Sequence, residues 1–543
     1  MNLFSLNLDQ KYIFYVVVCH VLNGETGDLL RIILNGKGGA GKSYLIKAIV
    51  NVLWRLFKTR LAAHVGAPTG TAAHLINGNT LHTMFGLPIR GSVQARTGAM
   101  PQGSKGERLQ QYFADSVLLV MDEWSMIGKW LFGQCSQAAK NLIKRGNFCQ
   151  CSFGNINVAI ISGDIKQLQP TMDTPLFDPL IAKNQVANNG RLEYVNFTKV
   201  FFLDKCVRLN PAEVKLKETV ENLRNDQATS QDAKFLQELQ FDNVVDRYGI
   251  ERVTEHLKNG LYVAPTRAKV AQHNSKKLKE LNETNPVVKI TAKNIGRCAA
   301  KAGPKKCPLQ NEIIICKGAK VRLTCNLIVQ EGLFNGSVGY IRDIVYKTPK
   351  AEGFPEFVLV EMVNYNSDTT FCNEPKLVPI AKVKRPIDCK CNNPCMREQI
   401  PLAPAYGMTC HAVQGSTVGR NQVFKCLLLD PGDKKFESQC PGVLQMLLSR
   451  GQSSGDDEHL PDIIFAPGCF INTSRVTHKV ETRMTTNRAN ELERLRRLAA
   501  ETKQRFPPIS EADFLTLILR LKERCTLPQA TLDSLAEQLN NYP

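Results

Sequence analysis

Residues 36–43 read GKGGAGKS, every fixed position of a G-x-x-x-x-G-K-[ST] loop, and this constrains the fold more than any other feature of the chain. The loop follows an apolar run at 29–34 (LLRIIL). It opens a stretch at 43–57 with Leu45, Ile49 and Leu53 on one helical stripe and Ile46, Val50 and Trp54 beside it. A strand entering and a helix leaving are what such a loop requires. Gly36, Gly38, Gly39 and Gly41, with Lys37 and Ala40 between them, let successive backbone N–H groups curl round phosphates, and the helix N-terminus adds positive potential. Lys42 supplies a point charge to the β and γ phosphates, and Ser43 a hydroxyl for Mg²⁺. The pattern predicts an α/β core that takes ATP and Mg²⁺ as cofactors.

Two more apolar runs, 117–121 and 158–161, show no polar alternation, which suits the buried centre of a parallel sheet. Each ends on polar chemistry. LLVMDE at 118–123 delivers Asp122 to hold Mg²⁺ through water and Glu123 to orient and deprotonate the attacking water. SGDIKQLQP at 162–170 sets Gln167 at the sheet's carboxyl edge, where open α/β sheets bind ligands. A neutral amide there touches both the γ-phosphate and the catalytic water.

At 543 residues, three or four structural units are expected. A net charge of +19 attracts polyanions, although a merely basic soluble enzyme has the same composition. No run of eighteen or more apolar residues occurs, so no membrane span is expected. Residues 1–11 lack the order of a signal peptide, so the expected location is intracellular and the eighteen cysteines reduced. Cys372, Cys389, Cys391 and Cys395 form one cluster, which leaves open zinc or plain thiols.

The first unit is read as 1–194, with a small Gly/Ser/Pro-rich insertion near 88–112. A second βα pattern starts at Leu261, giving a second lobe from 195–315 and 396–470. Short β-like runs split by glycines at 316–395 read as a small inserted β-barrel, and 471–543 as a charged helical extension.

The loop, DEWSM and GDIKQLQP, in that order, resemble the superfamily-one helicases, specifically the Pif-type members of the RecD-like branch. Four further segments are similar to that family's motifs: APTGTAAHLINGNTLHTMFGL at 67–87, LFNGSVGYI at 333–341, PLAPAYGMTCHAVQGST at 401–417 and GVLQMLLSR at 442–450. The resemblance implies two RecA-like P-loop lobes with parallel sheets and ATP in the cleft. It also implies a 5′-to-3′ DNA helicase of replication, repair, recombination or telomere maintenance, in the nucleus of a eukaryotic source, with the mitochondrion as another location. The motor it implies is a single chain on single-stranded and forked DNA. Gln10 matches the family's adenine-reading glutamine, and Arg208 and Arg450 match two arginines that reach across the cleft. A second SRV triplet at 474–476 rivals Arg450.

Single-strand binding needs donors and cations for phosphates and flat groups for bases. Pro68, Thr69, His82, Phe85, Thr409, His411 and Gln414 match positions where the family meets DNA. Arg267, Lys269, Lys317, Lys320 and Arg322 either line that track or form a solvated face. Two other functions fit parts of the pattern: a P-loop ATPase that remodels nucleoprotein without unwinding, and an inactive DNA-binding relic.

Overall fold

The computed structural model describes residues 2–24, 29–87, 103–143, 152–171, 173–205, 212–303, 306–347, 354–367, 371–387, 389, 391, 395–419, 422–469 and 471–541. Strand β1 (Leu30–Gly36) is buried at every position. It lies in a six-stranded parallel sheet with β2 (Ala63–Ala67), β3 (Asn79–Thr80), β4 (Leu118–Met121), β5 (Val158–Gly163) and β6 (Lys199–Leu203), ordered β3-β2-β4-β5-β1-β6. Leu30 and Leu118 both stand opposite Val158, so the loops after β1, β4 and β5 leave from one carboxyl edge.

Alternate residues of β1 enter different cores, because successive strand side chains point to opposite faces. Ile32 and Leu34 pack with helices α1 (Leu8–Leu22) and α2 (Lys42–Leu56), whereas Ile33 packs with Phe132, Phe153 and Phe197 on the other face. The first unit does not stop at 194. Strand β6 pairs in parallel with β1, Ile33 opposite Val200, and so completes the first sheet.

The second lobe holds a shorter parallel sheet that starts with β7 (Leu261–Ala264). Ten antiparallel strands follow. They are β8 (Val288–Thr291), β9 (Lys293–Ile295), β10 (Glu312–Ile315), β11 (Lys320–Leu323), β12 (Val338–Val345), β13 (Phe357–Met362), β14 (Leu377–Ala381), β15 (Val383–Pro386), β16 (Met396–Gln399) and β17 (Leu402–Pro404). Pairing sorts them into the sheets β14-β13-β12-β11-β17, β15-β16-β9 and β10-β8. The antiparallel unit therefore begins at Val288, ahead of the 316 expected from sequence. The short runs of β8–β10 are only part-buried, and that hides them from a search for apolar strands. The chain then returns through β18 (Gly407–Thr409), β19 (Leu427–Leu429) and β20 (Ile463–Phe465) to a parallel order β18-β7-β19-β20. Among the described residues no helix is long and apolar enough to cross a membrane.

The charged end of the chain is part of the first lobe's core. Helix Arg483–Arg505 lies along β6, where Val200 N donates to Thr502 Oγ1 at 3.0 Å, and Tyr194 Oη donates to Glu491 Oε1 at 2.6 Å. Phe514, Leu517, Ile518 and Leu521 of helix Glu511–Arg524 close over α1, which is apolar nearly all round because it is covered on both sides. All three tryptophans of the chain, Trp54, Trp124 and Trp130, lie in the first lobe, so their fluorescence reports its unfolding alone. Leu517→Ala is expected to destabilise that lobe by about 2–5 kcal/mol, the usual cost of emptying a packed site. Measured by tryptophan fluorescence in urea, an unchanged midpoint would show that the extension is not part of this core.

Candidate functional site

The phosphate loop joins β1 to α2 with Gly39 at φ 82° and Gly41 at φ 79°, left-handed values that glycine adopts without strain. Lys42 Nζ donates to the Gly36 and Lys37 carbonyls, at 2.7 and 3.0 Å, so the ammonium lies within the loop's own cradle. Ser43 stands half-exposed in the first turn of α2, and Ala40 is buried. Gln10 lies against the same loop. Its side chain closes the N-terminal cap of α1 with Asn7, and its Nε2 donates to Gly41 O at 3.4 Å. The resemblance alone singled out Gln10; the geometry puts it beside the phosphate loop.

At the end of β4, Asp122 is 5% exposed. Its Oδ1 is a buried acceptor with no hydrogen-bond donor. Burial pushes its carboxyl up, against the charge of Lys42. Glu123 takes a left-handed backbone, φ 53°. Burial, and after it the charge of Asp122, pushes Glu123 up as well, while Lys42 and Arg450 pull the other way. A dry acidic pair with an orphaned oxygen, next to a P-loop lysine and serine, is the donor set that Mg²⁺ accompanying a triphosphate needs.

The loop after β5 carries Asp164 and Gln167, both buried. Burial alone would raise Asp164, but the Arg224 guanidinium outweighs it and holds this carboxyl below its usual range. The pair is a two-pronged fork, Nη1 to Oδ2 at 2.6 Å and Nη2 to Oδ1 at 2.8 Å. Arg224 ends helix Val214–Arg224, whose Leu216 belongs to the core of the second lobe. The fork thus crosses between lobes, as does the 2.7 Å bridge from Lys37 of the phosphate loop to Glu221. Sequence reading missed Arg224. Its only signal was an arginine in a charged helix, and such residues are ordinarily solvated.

Other second-lobe groups reach the same pocket. Gln414 Nε2 donates to Gln167 Oε1 at 3.3 Å and approaches Glu123 Oε2 at 3.5 Å. Arg450 is 1% exposed. A methyl placed on Gly38 would stand 3.3 Å from both Arg450 Nη2 and Gln167 Nε2 and 3.7 Å from Ser449 Oγ. Arg450 therefore faces the phosphate loop. Its rival Arg475 lies elsewhere, lining a separate pocket with Glu437 and Arg488. Arg208 falls in 206–211, outside the described residues.

A cleft of about 400 Å³ opens between the lobes. Pro68, Thr69, Thr71 and His82 face Arg322, Asn335, His411 and Gln414 across it. The lobes approach closely at Gly70, where a Cβ would come within 2.6 Å of Asn326 Oδ1 and displace that side chain. Thr409 ends β18, part-buried, two residues before His411. Phe85 does not reach the cleft. It is fully buried and stacks on Phe113 with ring centroids 5.4 Å apart, so it is a core residue and cannot receive a base. Of the basic residues, Lys269 is paired with Asp430 at 2.6 Å and Lys317 with Asp343 at 3.0 Å. Lys320 is buried over the rings of Tyr340 and Phe424. Arg322 does line the cleft, with Arg267 near enough to act on its charge. The insertion expected near 88–112 lies in large part outside the described residues, which omit 88–102.

Comparison with known proteins gives one answer. Residues 5–230 match the family model of the PIF1-like helicases. The chain is 26% identical over 399 residues to the ATP-dependent DNA helicase Pif1 of Bdellovibrio bacteriovorus, covering 72% of this chain and 78% of that protein. It is 25% identical over 404 residues to the human ATP-dependent DNA helicase PIF1, of which it spans 54%. Its fold is that of the Candida albicans Pif1 helicase, with a TM-score of 0.62 at 19% identity over 90% of this chain and 99% of that one. A Bacteroides Pif1 helicase in complex with ADP-AlF3 and single-stranded DNA aligns with a TM-score of 0.61 at 20% identity, over 90% and 98%. With its phosphate loop, acidic pair and buried arginine assembled in the cleft, the chain is similar to the PIF1-like helicases, whose family model matches its residues 5–230.

Proposed function

We propose that the protein is an ATP-dependent DNA helicase that moves 5′ to 3′ along single-stranded DNA and separates duplex at a fork. One observation carries the reading. Arg450 and Gln414 of one lobe meet Gly38, Gln167 and Glu123 of the other at a single pocket, so the state of a phosphate there is felt by both halves.

In this reading Gln10 reads the base, Lys42 grips the β and γ phosphates, and Ser43 and Asp122 hold Mg²⁺, which neutralises charge on the phosphate oxygens when bound. Glu123 orients the attacking water and takes its proton. Gln167 spans water and γ-phosphate. Arg450, with Arg208, meets the charge that spreads over the transferred group. Cleavage removes what Arg450 and Lys42 share, and the lobes part. Pro68, Thr69, His82, Thr409, His411 and Gln414 hold the strand, so opening and closing change the grip upon it. The DNA acted on is that of replication, repair, recombination or telomere maintenance, in the nucleus or mitochondrion if the source is eukaryotic.

The direct test is strand displacement on forks with either a 5′ or a 3′ tail. Unwinding of the 5′-tailed fork alone is expected, and ATP turnover indifferent to single-stranded DNA would overturn the reading. Lys42→Ala should abolish turnover while sparing most DNA binding, because the strand cleft is built from other residues. Arg450→Ala should lower kcat by about 10³, the usual scale for such arginines; normal hydrolysis by either variant would remove that residue from the engine. The raised carboxyl of Glu123 sets a sign for pH. The base must be ionised and is lost as pH falls through a pKa above the ordinary glutamate value, so the acid limb of kcat/KM, which reports the free enzyme, should lie above about 4.3. A profile flat down to that value would place the base elsewhere.

A further inference from the structure

Far from the ATP pocket, four cysteines converge. The sulfur atoms of Cys298, Cys389, Cys391 and Cys395 all lie within 4.8 Å of one another. Sequence grouping had put Cys372 with the last three. That residue is exposed and outside the group, and Cys298 takes its place from a distant part of the chain. The spacing suits one ion. Thiolates at about 2.3 Å from a tetrahedral zinc stand about 3.8 Å apart. The Cys298 and Cys391 sulfurs are 3.3 Å apart, too far for a disulfide of about 2.05 Å. An iron–sulfur cluster would hold its four cysteines farther apart than this group allows.

The surroundings point the same way. Cys298 follows the end of β9, while the other three lie in the connection between β15 and β16, and β16 pairs with both β9 and β15. The group therefore ties a hairpin end to the third strand of its own sheet. Gly296, at φ 93°, permits the approach, since a Cβ there would come within 2.6 Å of Cys395 Sγ. Among the described residues, the buried apolar cluster beneath is small: Ala299, Ala302, Cys307, Leu309, Ile387 and Cys395, with Val383 and the other three cysteines packed against it. Cores this small ordinarily need a metal or disulfide staple. Arg397, 1% exposed, donates to the carbonyls of Ala299, Ala302 and Leu309 and brings positive charge into the same unit.

We propose that Cys298, Cys389, Cys391 and Cys395 bind a single structural zinc ion that pins the β15-β16-β9 sheet. All four positions are filled by protein, so the ion has no open site for substrate and does no chemistry. Its work is to hold the fold of the inserted unit.

The test uses the full chain purified without chelator. Elemental analysis should find about one zinc per chain. Cys298→Ser and Cys391→Ser should lose it, and Cys372→Ser should keep it. Should the first two variants fail to fold, the wild-type protein still decides. Exchange of its metal for Co²⁺ should give the thiolate charge-transfer and d–d absorption of a tetrahedral sulfur site. Wild-type protein without stoichiometric metal, loss from Cys372→Ser equal to that from Cys298→Ser, or an intact mass two hydrogens short for a Cys298–Cys391 disulfide would each overturn the proposal. None of these outcomes bears on the helicase reading, which does not use this sheet.

Discussion

The buried fork between Asp164 and Arg224 is the contact on which the cleft depends. Asp164 is fully covered and Arg224 nearly so, and each comes from a different lobe. Taking two ions out of water costs several kcal/mol each, a cost met only by close geometry and complete hydrogen bonding. Both prongs are made here, so in this arrangement the fork ties the two lobes together. Leu168, two residues after the loop's lysine, reinforces it by entering the apolar core of the other lobe. The pocket for phosphate is what remains around this fixed point.

Charge in that pocket is unbalanced by design of its parts. Asp164 has its partner, whereas Asp122, buried, and Glu123, part-buried, follow one another at the end of β4 with Lys42 turned toward loop carbonyls. Burial pushes both carboxyls up, and the charge of Asp122 raises Glu123 further. Positive charge brought close to them lowers both. In the proposed reading, the cation that accompanies a triphosphate would favour the ionised form of both carboxyls.

How much of this the sequence displays depends on how local the cause is. The phosphate loop, the acidic pair and Gln167 each follow an apolar strand directly, and β1, β4 and β5 appear within two residues of where their runs suggest. Phe85 shows the limit: its motif context pointed to DNA, but only the packing of Phe113 against it, from a helix beyond 88–102, decides that it is core. The terminal helix Arg483–Arg505 misleads for another reason. Its buried stripe is Glu491, Leu495, Leu498 and Thr502, and half of that stripe is polar and satisfied by hydrogen bonds to Tyr194 and Val200. A search for apolar periodicity sees two leucines in a field of charge. Arg224 and Cys298 were invisible for the plainest reason, since their partners are brought near only by tertiary folding.

Gln414 belongs to both halves of the proposed machine. Its amide reaches Gln167 and Glu123 on the phosphate side, and the same residue lines the cleft that holds His82 and His411. It follows the single turn Cys410–Val413, whose Cys410 and Val413 are locked in the second-lobe core. A turn anchored in this way moves with its lobe and not by itself. If Gln167 shifts when a phosphate leaves, Gln414 can follow only by carrying that whole lobe, His411 included, across the strand. A flexible loop at this place would absorb the shift and transmit nothing. In the proposed reading, tight packing behind one amide is what would couple a small shift at a phosphate to the grip on DNA.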